Sequence, residues 1–147
     1  MSKIFILLFP LLFWQTQLKW EPDLIAAQKK AGEQHKIVLL NFSGSDWCAP
    51  CIQLHKNIFS HPDFLSWYDQ HLILVNADFP RNKKNRLSTE QQNRNDKMAE
   101  QYNPQGIFPL TILLNADGSI RKVWEGQPKV SVAEFIREIN NSISQKH

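Results

Sequence analysis

The chain is predicted to fold as an α/β domain: a central mixed sheet flanked by helices, built from a parallel strand-helix-strand unit followed by a C-terminal antiparallel hairpin. Three observations predict it. Ile37–Phe42 and His71–Asp78 are short apolar runs of strand length separated by helical sequence, the pattern of two buried parallel strands and their crossover. Leu110–Asn115 and Ile120–Trp124 are joined by Ala116-Asp117-Gly118-Ser119, in which Asp-Gly supplies the turn chemistry of a hairpin. Val132, Phe135, Ile136, Ile139 and Ile143 then recur at helical spacing and make Val130–Ile143 an amphipathic closing helix.

The remaining elements follow in order. Glu21-Pro22-Asp23 precedes Leu24, Ile25, Ala26, Ala27 and Ala31, which predicts a helix with Pro in its first turn, ending near Gly32. After the first strand, Ser43-Gly44-Ser45-Asp46 forms a polar turn, and Ile52, Ile58 and Phe59 lie at roughly helical spacing beyond it. Ser60-His61-Pro62-Asp63 starts a second helical piece carrying Phe64, Leu65, Trp67 and Tyr68. A polar insertion fills Phe79 to Asn103. Its second half, Ser88 to Tyr102, contains neither Gly nor Pro and is predicted helical, with Met98, Ala99 and Tyr102 facing inward.

The chemistry is expected at Trp47-Cys48-Ala49-Pro50-Cys51, which holds both cysteines of the chain. A disulfide closing so small a ring contributes only about 2 kcal/mol by chain entropy, so the pair is a poor staple. Its spacing suits reactivity: one thiolate attacks a partner's disulfide and the second resolves the mixed disulfide without diffusing. Cys48 falls at a helix N-terminus, where the macrodipole and unpaired N–H groups favour an anion. A thiol pKa lowered from about 8.5 to about 7 would make half the sulfur thiolate at neutral pH. Cys51, one turn further in, suits the resolving role. A metal site remains an alternative, with Cys48, Cys51, His55 and His61 as ligands, although Pro50 and the helix restrict how they could gather around zinc. His55 is otherwise a polar residue on the outer helix face.

Composition bounds the class. With 147 residues the chain has room for one core, and a net charge of +3 from seventeen basic and fourteen acidic side chains gives no case for nucleic acid. The densest basic stretch, Arg81-Asn-Lys-Lys-Asn-Arg86, is expected to be a solvated loop. At the N-terminus, Lys3 precedes the apolar run Ile4–Trp14, and Gln15-Thr16-Gln17 turns polar, the layout of a secretory signal. Eleven residues fall short of the roughly 20 that span a bilayer. No small-x-small triplet precedes Leu18, so residues 1–17 are expected to be a signal peptide or an uncleaved anchor, with the domain at 18–147.

Over roughly residues 20 to 145 the chain resembles secreted, single-domain proteins of the thioredoxin fold. The resemblance rests on the strand-Trp47-Cys48-Ala49-Pro50-Cys51-helix junction, on Ile107-Phe108-Pro109-Leu110-Thr111 ahead of the hairpin, and on the hairpin with its final helix. It implies a cis peptide before Pro109, beside the disulfide, and a Phe108 whose backbone is offered to an extended client. Trp47 and Phe108 would add apolar contacts there. In three places the chain departs from thioredoxin, one of them the insertion from Phe79 to Asn103, which lengthens the middle. Thioredoxin's buried aspartate before the motif and a nearby lysine align, by strand pattern, with Asn41 and Leu74, so Cys51 lacks the family's proton acceptor. The loop 43–46 is also one residue longer.

The function implied is a monomeric thiol-disulfide oxidoreductase in the periplasm or outside the cell, with no cofactor. Its partners would be exported proteins with cysteines or disulfides, and a membrane electron donor or thiol reductant. The absence of His between the cysteines leans toward a reductase, since a His there would stabilise the reduced thiolate of an oxidant. The rival from another class is a non-catalytic module that holds extended chains in the groove.

Overall fold

A computed structural model describes residues 17–145. Five strands form one sheet in the order β1-β3-β2-β4-β5: β1 Trp20–Glu21, β2 Ile37–Ser43, β3 Leu72–Asp78, β4 Leu110–Leu114 and β5 Ile120–Glu125. β1, β3 and β2 run parallel, whereas β4 is antiparallel to β2 and β5 antiparallel to β4. The predicted mixed sheet, with its parallel unit and C-terminal hairpin, is the observed one. β1 was not predicted. Two residues are too few to show a period, and they become a strand only by pairing with Leu74 and Val75.

Among the described residues the α-helices are α1 Leu24–Gln34, α2 Ala49–Leu54, α3 Pro62–His71, α4 Thr89–Tyr102 and α5 Val132–Ser144. α1 begins after its cap Asp23, whose carboxylate accepts from the Ala26 N–H, so Pro22 precedes the helix instead of sitting in its first turn. It also continues past Gly32 to His35, which closes it in the left-handed conformation at φ 54°. α2 runs directly into a π-helical turn, His55–Phe59, closed by the Ser60 N–H donating to the His55 carbonyl at 2.8 Å. His71, expected to open β3, is the last residue of α3. α4 starts at the predicted place because Ser88 caps it, its side chain accepting from Gln91 N–H.

Period-two alternation assigns each strand's residues to one of two cores. On one face Val38, Leu40, Phe42, Ile73, Val75, Ile112 and Leu114 pack with Leu24, Ala27 and Ala31 of α1 and Met98 of α4. On the other, Leu39, Leu74 and Leu113 meet Leu54, Phe59, Phe64 and Phe135 from α2, its π turn, α3 and α5. The sheet is thus the middle of three layers. Asn41 and Thr111 belong by alternation to the second face, where they form a polar end to an otherwise apolar surface directly beneath α2.

No helix among the described residues is long and apolar enough to cross a membrane. The apolar run 4–14 lies outside the described residues.

Candidate functional site

Cys48 is the residue before α2 and caps it, its sulfur accepting from the Cys51 N–H at 3.3 Å. The two cysteines are joined in a disulfide and are 4% and 3% exposed. Joined in this way, they provide no thiolate pair for a metal. His61 instead caps α3, its Nδ1 accepting from the Asp63 N–H. Among the described residues no group of His, Cys, Asp and Glu converges on a metal position.

Of the other expected site residues, Trp47, the neighbour of Cys48 in the chain, and Phe108 form an aromatic wall, with Pro109 following Phe108. The Phe108-Pro109 peptide is cis. Phe108 meets Trp47 edge-on at 5.4 Å and Phe79 at 5.7 Å between ring centroids. Trp47 is anchored in turn: its indole N–H donates to the Phe79 carbonyl at 2.7 Å and the Arg81 guanidinium lies 3.7 Å above its ring. Phe79 and Arg81 were not anticipated as part of this wall. They come from the start of the insertion, and only the fold brings that segment back to the motif.

Asp46 makes this return possible. It accepts from the backbone N–H groups of Arg81 and Asn82 and from the Asn85 side chain, at 2.9 to 3.0 Å. These donors, Arg81 N–H foremost, hold its carboxyl below the usual range. On the other side Asn103 fixes the approach to Pro109, since its amide both donates to the Ile107 carbonyl and accepts from the Ile107 N–H at 2.8 Å. The Pro109 carbonyl accepts from Gly126 N–H. Phe108, between them, has a backbone with no hydrogen-bond partner among the described residues.

Behind the disulfide lies a cleft of about 220 Å³ lined by Asn41, Ser43, Ser45, Cys51, Ile52, His55 and Asn76. Asn41, 5% exposed, donates to Asn76 Oδ1 at 2.9 Å and accepts from the Thr111 hydroxyl at 3.1 Å. In the register of β2 and β3, Asn76 is the partner of Asn41, and Leu74, the residue that strand pattern aligns with the family's lysine, pairs with Leu39. Asn41, Asn76 and Thr111 thus form a linked cluster of two amides and a hydroxyl. His55, solvent-exposed as expected of the outer helix face, also borders this cleft, and partial burial lowers its imidazole below the usual histidine value.

The sequence profile of the thioredoxin-like domain matches residues 24–142. The chain is 35% identical over 101 residues to the disulfide bond reductase DsbH of Chlamydia pneumoniae, a stretch covering 69% of this chain and 58% of that one. It is 28% identical over 96 residues to the thioredoxin-related protein DsbJ of the same organism, covering 65% of this chain and 27% of DsbJ. The chain therefore spans less than two thirds of the length of either relative. Among solved structures, a DsbH oxidoreductase superposes with a TM-score of 0.78 at 28% identity, covering 88% of this chain and 87% of that one.

Proposed function

Because the chain belongs to the thioredoxin-like domain family, we propose that it is a thiol-disulfide oxidoreductase that reduces disulfides of exported proteins through Cys48 and Cys51. One observation carries this function. Cys48 of the disulfide caps a helix next to Trp47, and Trp47 packs on Phe108, which precedes the cis Pro109 and whose backbone has no hydrogen-bond partner among the described residues. Nucleophile and client-binding edge are thus neighbours.

In the reduced protein the Cys48 thiolate attacks a client disulfide, forming the Cys48–client bond and releasing one client thiolate. Cys51 then attacks Cys48 Sγ, restoring the Cys48–Cys51 bond and releasing the second client thiolate. Two electrons pass to the client, and a membrane donor or thiol reductant returns them. The client lies as an added strand along Phe108, held by its backbone N–H and C=O, with Trp47, Phe108 and the exposed Ile52 as apolar contacts. Pro109 keeps this edge open beside the sulfur.

The reducing direction is supported by the lack of a His between the cysteines and by the reductase name of the DsbH relative. Export is supported by the apolar run at residues 4–14 with Lys3 before it. Insulin reduction with dithiothreitol tests the activity: the protein accelerates it and Cys48→Ser abolishes the acceleration. A wild type no faster than Cys48→Ser would leave only a non-catalytic chain-binding module. Equilibration with glutathione tests the direction, with a potential nearer about −270 than about −120 mV expected.

A further inference from the structure

We propose that His55 is the proton acceptor for Cys51, taking the thiol proton through the water-accessible cleft that both residues line. This rests on the thiol-disulfide exchange proposed above and supplies the step that exchange lacks.

The resolving thiol must lose its proton before it can attack, because the thiolate is the nucleophile. The groups around it narrow the acceptor to one. Asn41 has no basic form at neutral pH, and its amide is occupied at both ends by Asn76 and Thr111. Ser43 and Ser45 are hydroxyls. Asp78 is engaged through both oxygens, by the Ser45 N–H and hydroxyl at 2.8 and 2.5 Å.

His55 is the remaining titratable side chain on the cleft, four residues after Cys51. Residues at that spacing share a helix face, with Cβ atoms about 5–6 Å apart. The cleft, at about 220 Å³, exceeds the roughly 30 Å³ of a water molecule several-fold, so a water can connect sulfur and ring. Partial burial of its ring favours the neutral, accepting form of the imidazole. Of the charged groups on surrounding elements, Glu21 is paired with Lys30, Asp63 lies against His61, and Asp78 is held by Ser45. Lys56 follows on the same helix.

The step balances as follows. The Cys51 S–H proton passes through water to His55, and the Cys51 thiolate attacks Cys48 Sγ. The bond from Cys48 to the client sulfur breaks, and the client thiolate leaves with that electron pair. The imidazolium then returns its proton to water or to the departing thiolate.

A coloured aromatic disulfide reagent separates the two steps in a stopped-flow experiment, since the first thiolate released reports attack by Cys48 and the second reports resolution by Cys51. His55→Gln is expected to slow the second phase at least about tenfold at neutral pH. In the wild type the rate of that phase bends with the titration of a group below neutral pH; in H55Q the bend is lost, and free imidazole restores the rate to His55→Ala. An unchanged second phase, a retained bend in H55Q, or failure of imidazole to rescue H55A would each overturn the inference. Histidine NMR on the wild type gives a test independent of any variant: the His55 ring titration must shift between the dithiol and disulfide forms, and an identical titration in both overturns it. A wild type lacking even the first phase would sink the exchange chemistry itself, whereas a normal first phase with an unaffected second would sink only the role of His55.

Discussion

Trp47 can lie where it does because Gly44 has no side chain. A Cβ at Gly44 would come within 2.2 to 2.5 Å of three atoms of the indole, too close for either group to remain. Gly44→Ala must therefore lift the ring off its seat, breaking the hydrogen bond to Phe79 and the contact with Phe108. The expected cost is about 1–3 kcal/mol in a urea titration, accompanied by a changed tryptophan emission. Emission and midpoint equal to those of the wild type would show that the indole is not fixed there. Cys48, Cys51 and Pro109 were legible as residues because their meaning is local, in a spacing and in a proline before a strand. The role of Gly44 was not, because it depends on a ring held from the far end of β3.

At the scale of elements, the hairpin and the closing helix were legible from Asp117-Gly118 and from the apolar spacing along α5. Their mutual fastening was not. Glu138 on α5 accepts from the Trp124 indole on β5 at 2.8 Å and pairs with Lys122 at 3.3 Å. The indole hydrogen bond, followed by Lys122, lowers the Glu138 pKa. A depressed folded-state pKa means that the stabilisation is complete above the unfolded glutamate value, about 4.3, and disappears as the pH falls through the folded value. Glu138→Gln is therefore expected to cost about 1 kcal/mol at neutral pH and almost nothing in strong acid. Urea midpoints at the two pH values check it, and an equal difference at both would contradict the assignment. Strand register was likewise beyond a pattern reading. Leu74 and Asn76 lie on the same face of β3, and only pairing with β2 shows that Asn76 faces Asn41.

For the whole molecule, stability depends on filling both sides of the sheet, and the side beneath the cysteines is the aromatic one. Phe59, fully buried at the end of the π turn, contacts Trp20 of β1, Phe64 of α3 and Phe135 of α5. It thus joins the adjoining α3 to two elements distant in sequence, β1 and α5. Phe59→Ala is expected to cost about 3–5 kcal/mol, a large share of a typical domain's total of about 5–15. A loss below about 1 kcal/mol in urea denaturation would mean that this core collapses around the gap.

By itself the sequence determined the fold class, the order of the main elements and the reactive pair. Those features are written in short-range terms, as runs of apolar residues, turn dipeptides and the three-residue step between Cys48 and Cys51. Tertiary structure alone decided what surrounds the pair. It brought Phe79 and Arg81 back from the insertion to hold Trp47, set Asn76 opposite Asn41, and opened onto Cys51 a cleft that His55 shares. Apart from Cys51 and His55, which are one helical turn apart, these contacts join positions whose separation along the chain has no period, so they exist only once strand register and helix packing bring them together.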